Sequence, residues 1–288
     1  MDLSCEERRG WPAPANPDNM QRIPTFRHTP ALDPTSHTHS LGQKCIAELI
    51  GTAFLVYAGC GTLTATAYFM HGKPISVMGD LLGASLAFGL ALAIMVYAIG
   101  HISNCHINPA VSIAMACVKR MPWEEAGAYI VAQLVGALIG ALLVAVTFGA
   151  STAGPLGYGA SDFNPTFVNY FGAIVVEAIT TFFLLFVIMA TAIDKRAPAG
   201  WAGFAIGLTL TLGMLVTGAV TGGNLNPARA FGPTIVQMIF GNSYPFGHMF
   251  VYFIGPIIGG ILGALAYQYL AHPQAEKEPT YRGVETGY

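Results

Sequence analysis

Asn-Pro-Ala occurs twice, at Asn108-Pro109-Ala110 and at Asn226-Pro227-Ala228. The surrounding residues repeat with it. A Gly-Leu pair (Gly89-Leu90, Gly207-Leu208) begins nineteen residues before each Asn, and a glycine (Gly100, Gly218) stands eight before. A glutamate inside an apolar run opens each half, Glu48 in AELIGTAFLV and Glu177 in VEAITTFFLL. One arginine, Arg229, directly follows the second triplet; a guanidinium in such apolar surroundings is expensive and marks function. These groups hydrogen-bond and set electric fields. Neither a nucleophile beside a base nor a metal-ligand spacing accompanies them, so an enzyme, a cofactor and a metal are all unexpected. The five cysteines read as small packed residues.

The elements that position these groups follow from composition. Of the 288 residues, 53% are hydrophobic and 10% charged, with mean hydropathy +0.54. A soluble domain carries about 25% charged residues, so the expected solvent is a lipid bilayer. Six stretches reach the ~20 apolar residues a spanning helix needs: about 45–69, 82–100, 126–148, 168–192, 201–220 and 247–270. In lipid their backbone groups have no water partners, which makes them helices, and their Gly and Ala content permits close packing. Arg8, Arg9, Arg22, Arg27, Lys44, Lys119, Arg120, Lys195, Arg196, Lys277 and Arg282 fall on one side of such a bundle, against Lys73 on the other. By the positive-inside rule both termini are cytoplasmic. Residues 1–43 are polar and Pro-rich without a signal-peptide core, and 271–288 resemble them; both read as disordered cytoplasmic tails. No basic patch indicates a nucleic-acid partner.

Two segments remain, His106–Val118 and Asn224–Ile239, too apolar for loops and too short to span. About eleven helical residues cover roughly 16 Å, half the hydrocarbon thickness. Pro109 and Pro227 suit a first helical turn, and Asn108 and Asn226 occupy the N-cap. Each triplet therefore predicts a half-helix starting near the midplane, entered through GHISNCH or GAVTGGNL. Three full spans per repeat invert the second copy. The expected fold is all-α: six transmembrane helices plus two re-entrant half-helices in an inverted repeat, with channel domain 44–270 and repeats about 44–148 and 168–270. The half-helices meet tip to tip, each aiming a positive dipole end at the centre.

The chain resembles the aquaporin and aquaglyceroporin family, the major intrinsic proteins, over about residues 44–270, on the strength of CHINPAV, NLNPARAFGP, the matched glutamates and the six-span order. The resemblance implies a homotetramer with one pore per subunit, and Asn108 and Asn226 turning side-chain amides into each pore. It identifies Arg229 as the constriction arginine and, by family spacing, Phe88, Met214 and Gly223 as the other constriction residues. It makes Glu48, Glu177 and His106 structural supports of the re-entrant segments. His101 reads as an interfacial histidine. Met214 stands where the family's narrow water filters have His, and the set lacks the paired aromatics of glycerol facilitators. Ala230 and Tyr252-Phe253 lean towards water channels.

The expected function is a passive channel in the plasma membrane for water and small neutral solutes such as glycerol or hydrogen peroxide, excluding ions and protons. The alternatives are a secondary transporter built on the same inverted repeat, or a closed-pore structural member of the fold.

Overall fold

The computed structural model describes residues 39–69, 78–240 and 246–272. The tails expected at 1–43 and 271–288 lie almost wholly outside these residues. Among the described residues the chain forms α1 (Leu41–Phe69), α2 (Met78–Ser103), α3 (Pro109–Cys117), α4 (Trp123–Phe148), the single turn α5 (Ala150–Ala153), α6 (Tyr170–Ile188), α7 (Ala202–Thr221), α8 (Pro227–Ile239) and α9 (Val251–Ala271). A π turn, Met189–Ile193, prolongs α6, and a 3₁₀ turn, Phe246–Phe250, leads into α9. Six of these elements are long and apolar enough to cross a membrane: α1, α2, α4, α6 with its π turn, α7, and α9 with its 3₁₀ turn.

Several boundaries differ from the sequence expectation: α2 begins at Met78 and α4 at Trp123, ahead of the expected 82 and 126. The first helix begins at Leu41, inside the segment read as tail, because Ser40 and Gln43 form a capping box. The Gln43 N–H donates to Ser40 Oγ at 3.3 Å and the Ser40 N–H to Gln43 Oε1 at 2.9 Å. Hydropathy does not register such a polar start. At the other end of the first two-span unit, α2 runs on to Ser103, and α7 likewise runs to Thr221. The non-helical entry to each half-helix is thus shorter than GHISNCH and GAVTGGNL suggest. Ser103 and Thr221 donate their hydroxyls to Glu48 and Glu177, which anchors these last turns.

Packing repeats between the halves. α1 lies along α4, α6 along α9, and α2 crosses α7; α3 rests against α9 and α4, and α8 against α4. The close approaches are made by glycines in equivalent places. A Cβ on Gly140 of α4 would stand 2.5 Å from the Ala53 carbonyl of α1, and Gly263 of α9 faces the Phe182 carbonyl of α6 in the same manner. Small residues of this kind let helices associate where lipid supplies no hydrophobic drive. The distribution of side chains inverts that of a soluble protein: Leu212, Val216, Val131 and Val146 point outward, while Glu48, Gln133, Glu177 and Arg229 are buried.

Candidate functional site

The centre of the bundle is made by the starts of α3 and α8. Each has proline in its first turn and asparagine as N-cap. Asn108 Oδ1 accepts the Ala110 N–H at 2.9 Å; Asn226 Oδ1 accepts the N–H groups of Ala228 and Arg229 at 3.0 and 3.3 Å. The amide nitrogens cross over. Asn108 Nδ2 donates to the Leu225 carbonyl and Asn226 Nδ2 to the Ile107 carbonyl, both at 2.9 Å. The two half-helices are therefore tied end to end through their caps. Both asparagines line an inner cavity of about 290 Å³ that extends from Ile193 and Ala202 to Phe88 and Arg229.

The crossing bonds need two carbonyls turned towards the centre, and the backbone is bent to supply them. Ile107 and Leu225 adopt left-handed conformations, with φ of 42° and 56°. For a side-chain-bearing residue this costs about 1–2 kcal/mol. Buried carboxylates hold both in place. Glu48 accepts the N–H groups of His106 at 2.8 Å and Ile107 at 2.5 Å; Glu177 accepts those of Asn224 at 3.0 Å and Leu225 at 2.8 Å. Tyr129 and Tyr252 donate their hydroxyls to the carbonyls of Ser103 and Thr221 at 3.0 and 2.9 Å. The first half has further bracing. Gln133 Nε2 donates to Glu48 Oε2 at 2.8 Å and to Ser112 Oγ at 3.0 Å, and His106 Nδ1 lies 3.0 Å from Ser112 Oγ. His106 also meets the Tyr129 ring edge-on, whereas His101 is exposed.

Arg229 is 2% exposed and lies at the junction of the inner cavity with an outer one of about 170 Å³. Its Nη1 donates to the Gly159 carbonyl at 3.0 Å and to Ser161 Oγ at 2.5 Å. Its Cζ sits 4.7 Å over the Phe88 ring, within cation–π range. Phe88 reaches this place because Gly59 beneath it has no side chain; a Cβ there would overlap the ring. The buried Nε of Arg229 has no hydrogen-bond partner. Phe88 lines the inner cavity and Met214 the outer. Gly223 backs Met214 from outside both cavity walls: its φ is +57°, and a Cβ would stand 2.8 Å from Met214 Cα.

Sequence reasoning missed the groups that hold the arginine. Gly159 and Ser161 belong to the connection between repeats, about seventy residues away in the chain, and Asn224 Nδ2 donates to the same Ser161 Oγ at 3.0 Å. Gln133 was missed because a lone glutamine in an apolar span names no partner. Among the described residues no group of three His, Cys, Asp or Glu is placed to hold a metal, and Cys45, Cys60, Cys105 and Cys117 are unpaired thiols.

Comparison with known proteins agrees with this geometry. The profile of the family described as Major intrinsic protein matches residues 35–267. The chain is 43% identical to Aquaporin AqpM of Methanothermobacter marburgensis over 244 residues, 80% of this chain and 98% of that one. It is 40% identical to Aquaporin NIP1-1 of Zea mays over 230 residues, 78% and 73% of the two chains. Its fold matches the X-ray structure of the aquaglyceroporin from Plasmodium falciparum with a TM-score of 0.68 at 24% identity, covering 80% of this chain and 95% of that one. A cap-to-cap pair of half-helices inside six apolar spans, with a family profile covering most of the chain, makes this an integral multi-pass membrane protein that belongs to the major intrinsic protein family.

Proposed function

We propose that this chain is a passive transmembrane channel for water that also admits small neutral solutes such as glycerol or hydrogen peroxide and rejects ions and protons. The observation that carries the reading is the asparagine pair. Both Oδ1 atoms are occupied in capping α3 and α8, and one N–H of each amide crosses to the opposite carbonyl. What remains for the lumen is donation. A water that accepts from both amides must point its hydrogens away from the centre, which breaks a continuous proton wire. Two half-helix N-termini facing the same spot add a barrier to cations, as in aquaporin-type pores.

Phe88, Met214, Gly223 and Arg229 form the proposed constriction. The Arg229 guanidinium supplies its donors, and Phe88 and Met214 give it apolar walls. With Met214 in place of a histidine, the opening is wider and less polar than a strict water filter, and Gly223 leaves room for Met214 to pack against its backbone. Glu48, Glu177 and His106 act as supports. A homotetramer in the plasma membrane, with both termini cytoplasmic, completes the proposal. Stopped-flow light scattering on proteoliposomes tests it: water flux should be fast, unsaturable and of low activation energy, with measurable glycerol and peroxide entry. Shrinkage no faster than that of empty liposomes would reject the channel, and saturable flux would favour a carrier.

A further inference from the structure

At the end of the bundle that carries the basic loops, a pocket of about 340 Å³ opens beside the pore. Three chain segments converge on it: Arg120 after α3, Asp194–Arg196 after the π turn, and the end of α9 through His272. Its one carboxylate is already engaged. Asp194 accepts Arg196 Nε at 2.9 Å and Nη2 at 2.5 Å, and the Tyr267 hydroxyl at 2.8 Å; Arg196 Nη2 also donates to the Ala271 carbonyl at 3.1 Å. This clamp ties the turn after α6 to α9. It leaves the side chains of Arg120 and Lys195 without an ion pair or hydrogen bond among the described residues.

We propose that this pocket binds a phosphate group, with Arg120 and Lys195 as its principal ligands and Arg196 and His272 at its edge. Arginine offers a fork of donors to phosphate oxygens, and lysine a mobile point charge. The charges on the wall do not cancel, since Asp194 offsets Arg196 alone. The position suits the ligand as well: α6 and α9 end here, at the boundary where an anionic phospholipid places its headgroup. Met189, Ile193 and Ala271 supply an apolar floor. The same chemistry could arrive as free phosphate from the aqueous side. Ile193 also lines the inner cavity, so the occupant would sit next to the mouth of the pore.

The test is thermal unfolding of the full chain in a neutral detergent, with four additions compared: phosphatidylglycerol, phosphatidylcholine, inorganic phosphate, and chloride at matched ionic strength. Wild type, the double variant Arg120→Gln/Lys195→Gln and the control Lys119→Gln are measured side by side. All three replaced residues are exposed, so the fold should survive. Phosphatidylglycerol should raise the midpoint by about 5 °C at a hundredfold excess over Kd, and phosphatidylcholine should not. The shift should vanish in the double variant and persist in Lys119→Gln. A shift with inorganic phosphate that the double variant abolishes would support the site and assign it to the soluble anion. No shift in either phosphate arm, a shift that survives in the double variant, or an equal loss in Lys119→Gln would overturn the proposal.

Discussion

The two halves of the molecule share a backbone and differ in what they attach to it. Residue pairs 118 apart occupy equivalent places around the half-helices: Ile107 and Leu225, Asn108 and Asn226, Ser103 and Thr221. The left-handed turns, the carboxylate clamps and the crossed amides all occur twice. At the proposed constriction the symmetry fails. The equivalents of Phe88, Met214, Gly223 and Arg229 are Ile206, Val96, Cys105 and Val111, and all four line the inner cavity. One end of the lumen is therefore ringed by aliphatic side chains and a thiol, the other by an arginine stacked on an aromatic ring. Support differs too. Gln133, Ser112 and His106 buttress Glu48, whereas Pro256, Ala230 and Asn224 stand in the corresponding places around Glu177. Duplication supplies the frame, and the proposed constriction draws on both halves, Phe88 from the first and Met214, Gly223 and Arg229 from the second, at positions whose equivalents carry different side chains.

The largest expected effect lies in the shared part. Glu48→Ala and Glu177→Ala should each leave two buried backbone N–H groups without acceptors, at about 1–3 kcal/mol apiece. Thermal unfolding should show severe loss in both, and in Glu48→Ala more than in Glu177→Ala, because Gln133 also loses its acceptor. Equal loss would mean that the extra bracing of the first half contributes nothing. Next is Arg229→Val, which installs the residue of the equivalent inner position. Water permeability should stay within about twofold of wild type while urea and glycerol entry rise about tenfold, a change worth roughly 1.4 kcal/mol in barrier height. An unchanged solute profile in stopped-flow assays would remove Arg229 from the filter. Met214→His should act in the opposite direction, cutting glycerol entry severalfold while water persists. If wild type already excludes glycerol, the wide-filter reading fails.

The smallest effect concerns the clamp outside the lumen. Hydrogen bonds from Arg196 hold the Asp194 carboxyl below its usual range. A group whose pKa is lowered by folding stabilises the native state above its unfolded pKa, about 3.9 for Asp, and that contribution disappears only as pH falls through the lowered folded value. The melting-temperature difference between wild type and Asp194→Asn should therefore stay constant from pH 8 to pH 5 and shrink below pH 4. A difference that already changes between pH 7 and pH 5 would contradict the assignment.

Much of this architecture was legible because the bilayer leaves a chain few options. Runs of about twenty apolar residues must be helices in lipid, and an Asn-Pro pair at the head of an apolar run fits an N-cap and first helical turn, whereas Asn164-Pro165 in a polar connection forms only a turn. The capping box at Ser40 and Gln43 was legible as well but was overlooked in favour of hydropathy. The π turn after α6 and the extension of α2 and α7 left no periodic trace.

The amino-acid sequence by itself determined the duplication, the six spans, the two half-helices and the polar residues that had to lie inside, since each follows from local composition and from the cost of an unpaired polar group in hydrocarbon. The tertiary structure alone decided who satisfies whom: that Asn108 reaches the carbonyl before Asn226, that Gln133 buttresses Glu48, and that Ser161 and Gly159 hold Arg229. A buried donor takes whichever acceptor the packing of distant helices brings within about 3 Å, and nothing in a residue's near neighbours along the chain records which one that is.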